Sequence, residues 1–235
     1  MSIRRTPRSR TSVVSLIVAV TVALSGGGLL TAYAAEGGSG PVTSTSMHNG
    51  HADPAVDVSA QTALHRAMRT LWIQHMEWTY ATVVAFADES PALQPTIERL
   101  LRNQVDIGDA VAPFYGERAA AQLTELLTTH IEQAVPVLTA AKAGDDDALR
   151  KAVKAWYRNA DDIADFLAKA NPAWPKRDMR DMMEAHITTT IGYAGDVLSH
   201  DHAGAIAKYD EAEAHMVEMA DMLSQGLIAQ FPDRF

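Results

Sequence analysis

The chain of 235 residues contains no cysteine. That excludes disulfides, thiolate catalysis, thiolate metal ligation and lipoprotein anchoring. Basic residues are also scarce, 20 Lys and Arg against 29 Asp and Glu, for a net charge of −9. Nucleic-acid binding rests on neutralising phosphates with Lys and Arg, so this balance speaks against a nucleic-acid partner. No segment alternates apolar and polar residues with period two, which leaves no sequence basis for a half-buried strand. No Gly-x-Ser-x-Gly elbow, phosphate loop or dinucleotide fingerprint occurs.

One apolar run is present, near the N-terminus. Arg4, Arg5, Arg8 and Arg10 precede Val13 to Leu24, and Ala32-Tyr33-Ala34 follows. A basic region, a short apolar core and small residues at a cleavage point are the parts of a secretory signal. The core falls short of the roughly 20 apolar residues of a membrane span. Residues 1–35 are therefore read as a signal peptide and the protein as secreted. Cleavage takes four arginines and no acid from a chain of net charge −9, leaving −13. Such a charge disfavours an anionic membrane surface, so no stable membrane association is expected after cleavage. Residues 36–60 are rich in Gly, Ser, Thr and Pro and read as a flexible linker. Residues 61–235 are expected to form one domain.

The domain carries an internal repeat. Arg102-Asn103-x-x-Asp106-Ile107-x-Asp109 returns as Arg158-Asn159-x-x-Asp162-Ile163-x-Asp165. It returns altered as Ala214-His215-x-x-Glu218-Met219-x-Asp221. The period is 56 residues each time, and His75, His130 and His186 precede the copies by 28 or 29 residues. Apolar residues recur at intervals of three and four, as in Leu71, His75, Trp78, Thr82 and Phe86. Breaks are expected at Ser90 to Pro95, Pro113 to Gly116, Gly144 to Asp147, Asn171 to Pro175 and His200 to Gly204. Asp145 to Asp147 are placed to cap a helix N-terminus. The expected fold is all-α, a six-helix bundle built from three tandem αα-hairpins of about 56 residues. The hairpins could close around a pseudo-threefold axis or form a four-helix bundle plus a hairpin. Pro136 and Gly192, each six residues past a histidine, predict matching bends.

The repeat also places polar residues in apolar phases. His75, His130 and His186 lie mid-way along the first helix of each hairpin, and Asn103, Asn159 and His215 mid-way along the second. Asp106, Asp162 and Glu218 follow one turn on. A buried polar group without a partner costs about 1–3 kcal/mol, so these groups must pair with each other, with water or with a ligand. One reading is a His–Asn–Asp layer that sets hairpin register. The alternative is a zinc or copper site using His75, His130, His186 and His215, with Asp106, Asp162 and Glu218 as ligands or supporting acceptors. A di-iron bundle would need more inward glutamates than the chain offers. A third reading is an enzyme holding a small ligand near Pro136 and Gly192. Met179, Met182, Met183, Met216, Met219 and Met222 recur at helical spacing and read as core.

Several stretches resemble a family of bacterial all-helical proteins. They are Leu71-Trp72-x-x-His75-x-x-Trp78-Thr79, Arg99-Leu100-Leu101-x-Asn103-Gln104-Val105-Asp106-Ile107-Gly108 and Pro113-Phe114-Tyr115-Gly116. Trp156-Tyr157-x-Asn159-Ala160-Asp161-Asp162-Ile163 and the terminal Gln230-Phe231-Pro232 extend the likeness over nearly the whole folded region. The resemblance implies an all-helical fold and no particular activity. Amino-acid-kinase-type names attach to some such proteins, and an all-helical chain without a phosphate loop gives them no support.

Overall fold

The computed structural model describes residues 59–235. The expected signal peptide and all but the end of the expected linker lie outside the described residues. Six helices follow in order: α1 (Ala60–Ala87), α2 (Leu93–Tyr115), α3 (Glu117–Ala143), α4 (Asp146–Ala170), α5 (Lys176–Leu198) and α6 (His202–Gln230). A 3-10 turn, Pro232–Arg234, ends the chain. There is no strand among the described residues.

The turn inside each hairpin repeats as the helices do. Glu89, Gly144 and His200 have positive φ, at 52°, 66° and 63°. They occupy equivalent places, 55 and 56 residues apart. A left-handed residue ends a helix because it turns the last free carbonyls toward the chain's next N–H groups. The next residue in each case closes the turn: Ser90 N–H donates to Ala85 O, Asp145 N–H to Ala140 O and Asp201 N–H to Asp196 O. In the second and third hairpins that residue also caps the following helix, whereas Ala92 precedes α2. Asp145 accepts from the Ala148 N–H at 3.0 Å and Asp201 from the Gly204 N–H at 3.0 Å. The expected capping by Asp145 is present, with Asp146 and Asp147 in the first turn.

Four of the five breaks are shorter than expected: α2 already includes Pro95, and α4 includes Asp146 and Asp147. α2 continues through Pro113, and Gly116 alone (φ 81°) separates it from α3. Pro113 is tolerated because the carbonyl it leaves unbonded, that of Asp109, belongs to an exposed residue. The α5–α6 break ends at Asp201, and Gly204 sits inside the first turn of α6. α3 is likewise continuous across Pro136 and α5 across Gly192. Pro136 and Glu132, whose carbonyl it frees, are both exposed, so water can take that bond.

Each helix packs on the next, and α6 returns to pack on α1. α5 also touches α1 and α3, which places the odd-numbered helices inward. Of the two arrangements the repeat allowed, the chain adopts the closed ring. The closure obeys the rule of an ordinary junction between repeats. Asp165 of α4 accepts from Arg180 (3.0 Å) and Lys176 (2.8 Å) of α5. Its equivalent, Asp221 of α6, accepts from Arg69 (2.7 Å) of α1, with His65 at 3.3 Å. Hydrogen bonds from Lys176 and Arg69 respectively hold the two carboxyls below their ordinary range. The core follows the same symmetry. Ile107, Ile163 and Met219 are equivalent and at most 2 % exposed. Trp72, Leu127 and Met183 meet them from α1, α3 and α5 around a central void of about 20 Å³. The methionines expected to be core are buried, apart from the half-buried Met222.

Trp174, in the α4–α5 connection, lies against Gly226 of α6. A Cβ on Gly226 would occupy the space of its indole ring. Gly226→Ala should therefore destabilise the protein by about 1–3 kcal/mol through overpacking. Thermal melts should show a drop of about 2–4 °C per kcal/mol. His200→Gly should do the opposite. It removes the left-handed strain that Gly144 avoids, and urea titration should show a gain of about 1 kcal/mol.

Candidate functional site

The three histidines of the repeat come together. His75, His130 and His186 project from α1, α3 and α5 and are 2 %, 2 % and 4 % exposed. The His186 ring centre is 5.6 Å from each of the other two. Trp72 lies 5.9 Å from His75 and Trp156 5.2 Å from His130. The layer lies one turn from the apolar centre, because Trp72, Leu127 and Met183 precede the histidines by three residues.

The second helix of each hairpin reaches this layer through one recurring bond. Asn103 Nδ2 donates to Leu71 O (3.0 Å), Asn159 Nδ2 to Leu126 O (3.1 Å) and His215 Nε2 to Met182 O (3.0 Å). The acceptor is always the carbonyl four residues before the histidine. A carbonyl only accepts, so the atom facing it must carry hydrogen. That fixes both amide orientations and places a proton on His215 Nε2. It also explains how a histidine replaces asparagine in the third repeat: His215 donates through Nε2 as the amides donate through Nδ2.

At the second hairpin the consequence reaches the layer itself. Asn159 Oδ1 is 2.8 Å from His130 Nδ1. The amide oxygen can only accept, so the His130 proton sits on Nδ1 and its lone pair on Nε2. The His130 carbonyl in turn accepts from the Trp156 indole N–H at 2.9 Å. The first hairpin inserts Gln104, which is fully buried. Its Nε2 donates to Leu100 O (2.8 Å) and lies 3.3 Å from both Asn103 Oδ1 and His75 Nδ1. Gln104 was not a candidate from sequence, since Ala160 and Met216 replace it in the other repeats.

The acidic residues do not join the histidines. Asp106 pairs with Arg102 (3.0 Å) and Arg99 (3.7 Å), while Asp162 and Glu218 are exposed. The reason is angular. From Asn103, a step of four residues reaches the buried Ile107, whereas a step of three turns about 60° to the other side. His215 is half-buried beside the layer. Among the described residues no group of three or more His, Asp or Glu is disposed to hold a metal ion.

Burial with no facing carboxylate keeps the imidazoles neutral. Desolvation, together with the neighbouring His130, lowers His75 to about 3, against the hydrogen bond to Asn103. Desolvation lowers His130 to about 4, against the bond to Asn159. Burial and the three other histidines push His186 well below its ordinary value. Among the described residues eight buried polar atoms have no hydrogen-bond partner: Trp72 Nε1, Arg99 Nη1, Gln104 Oε1, His130 Nε2, Gln133 Oε1, His186 Nδ1, Thr190 Oγ1 and Tyr193 Oη. The central void itself is lined by aliphatic, methionine and tryptophan side chains and is far smaller than an organic ligand. No family model matches the chain, and comparison with curated proteins and with solved structures finds no similar protein.

The depressed histidines give a pH dependence of definite sign. An unfolded chain takes up histidine protons near pH 6.5, whereas folded His75 and His130 do so only near 3 and 4. In that window the unfolded state binds more protons, so stability falls as pH falls. Each histidine contributes up to about 1.4 kcal/mol per pH unit. Urea titrations should show constant stability above pH 7 and a loss of up to about 4 kcal/mol on going to pH 5.5. A flat profile from pH 7.5 to 5 would show that the imidazoles are not held neutral.

Proposed function

We propose that this is an exported helical protein whose buried His/Asn layer is chiefly architectural, and whose work is binding or structural. The observation that carries the reading is the threefold recurrence of one bond, from Asn103, Asn159 or His215 to the carbonyl four residues before a histidine. A catalytic constellation has one nucleophile, one base and one opening to substrate. This layer instead repeats one register-setting contact in every hairpin, deep in the core. The basic region and apolar run before residue 35 support export, and the mature charge of −13 supports a partner that is neither nucleic acid nor an anionic membrane surface.

A second reading has a specific observation in its favour. Donation from His130 Nδ1 to Asn159 Oδ1 holds the ring in the tautomer whose Nε2 is free to ligate. Metal-binding histidines are commonly oriented in this way. Imidazole suits zinc and copper, so the layer is also a metal-site candidate, with the histidines rather than the acids as ligands.

Asn159→Leu tests the architectural reading. It is nearly isosteric, and it leaves the Leu126 carbonyl without its second bond and His130 Nδ1–H unpaired in the core. The expected loss is about 1–3 kcal/mol by urea titration. On the architectural reading, chelator leaves the melting temperature of the parent protein unchanged. A variant as stable as the parent would sink the reading.

A further inference from the structure

The metal reading can be taken further, because the unpartnered nitrogens of the layer are not spread evenly. His130 Nε2 and His186 Nδ1 are both buried and both without a partner among the described residues. They belong to adjacent rings whose centres are 5.6 Å apart and whose planes differ by 27°. That separation and tilt are those of an offset-stacked pair. They also leave room for two imidazoles to share one ion. A ligating nitrogen sits about 2 Å from a first-row metal, and the ring centre lies about an ångström beyond it. Two such ligands therefore put ring centres roughly 5–6 Å apart, depending on the angle at the ion.

We infer that the layer holds one soft monovalent d10 ion, copper(I) or silver(I), between His130 Nε2 and His186 Nδ1. The inference rests on the metal reading above and names its ligands and its charge class. Three observations select the class. The ligands number two: His130 Nε2 and His186 Nδ1 are the layer's unpartnered imidazole nitrogens, and among the described residues no group of three is disposed to share an ion. Monovalent d10 ions accept two nitrogen ligands, whereas zinc wants four. The layer offers no carboxylate, since Asp106, Asp162 and Glu218 are directed elsewhere. The cost of burying an ion rises with the square of its charge, so a site of neutral ligands favours a single charge. The His130 ring is already in the ligating tautomer, oriented by Asn159.

The test is a titration of the purified whole chain with silver(I), which needs no reductant, and anaerobically with copper(I). Three variants accompany it: His130→Gln, His186→Gln and the surface control His200→Gln with His202→Gln. Those last two rings are exposed and 6.1 Å apart, the obvious adventitious pair. The expected result is one ion per chain, weakened by at least about tenfold in each layer variant and unchanged in the surface control. X-ray absorption on the unmutated protein should give two nitrogen scatterers, a readout that stands even if the layer variants fail to fold. Binding lost only in the surface control, or no binding of either ion, overturns the site. Zinc bound at three or more nitrogen or oxygen ligands, with silver and copper(I) excluded, overturns the two-coordinate site and leaves the metal reading of the layer standing.

Discussion

Everything in this fold depends on a carbonyl that accepts twice. Leu71, Leu126 and Met182 lie inside α1, α3 and α5, where each carbonyl already takes the N–H four residues on, that of a layer histidine. A carbonyl has a second lone pair, and the side chain of Asn103, Asn159 or His215 fills it. The bond therefore costs no helical bond and still ties two helices at one height. A slip of one turn would move the hairpin by about 5.4 Å, carry the amide into the apolar layer and part Asn159 Oδ1 from His130 Nδ1. Apolar side chains alone tolerate such slips, since Leu, Ile and Met repack against one another at modest cost. One buried amide per hairpin removes that freedom.

Register within a hairpin does not close a ring, and a separate contact performs that task. The Asp165 clamp on α5 and the Asp221 clamp on α1 are one interaction used at two junctions. Arg69 and Arg180 differ by 111 residues, two repeats, so α1 meets α6 as α5 meets α4. The remaining junction departs from the rule: Asp109 is exposed, and Thr124 stands at the basic position on α3. There Gly108 brings the backbones close instead, against Ala120 and Thr124. Contacts made in sequence link α2 to α3 through one residue, Gly116, so that junction has the least freedom to lose. The junction between the chain's two ends has the most, and it carries a hydrogen-bonded carboxylate–guanidinium pair.

The helices, the period and the convergence of His75, His130 and His186 were legible in the sequence, because each rests on spacing along one helix. The side of the helix taken by Asp106, Asp162 and Glu218 was legible in principle. Steps of three and four from Asn103 lie on opposite flanks, and only one of them carries Ile107. Treating both flanks as one face placed the acids with the histidines. Gln104 was not legible, because nothing repeats it and its partners come from another helix. The left-handed turn residues were hidden for a different reason. Gly144 announces such a turn, but Glu89 and His200 do not, and only their equivalence to Gly144 under the repeat identifies them. The helix-breaking power of Pro113 was overestimated, since the carbonyl it frees lies on the solvent side.

One angular fact sets both the outer and the inner electrostatics. With 100° per residue, the repeat's Asn-x-x-Asp-Ile places amide and isoleucine inside and the acid outside. Acids turned inward would have met the imidazoles as buried ion pairs, whose desolvation cost often exceeds their attraction. Turned outward, Asp106 meets Arg102 and Arg99 on the surface, while Asp162 and Glu218 remain exposed and contribute to the acidic surface. The layer is left with neutral hydrogen-bonding groups, which a low-dielectric core can hold when they are paired. The same arrangement limits what the layer can admit. A guest must accept lone pairs from neutral imidazoles, bring little charge, and fit without the opening an organic molecule would need. Thus the spacing that fixes hairpin register also defines the chemistry of the site, and the two roles share Asn159: it positions α4 against α3 through Nδ2 and sets the His130 tautomer through Oδ1.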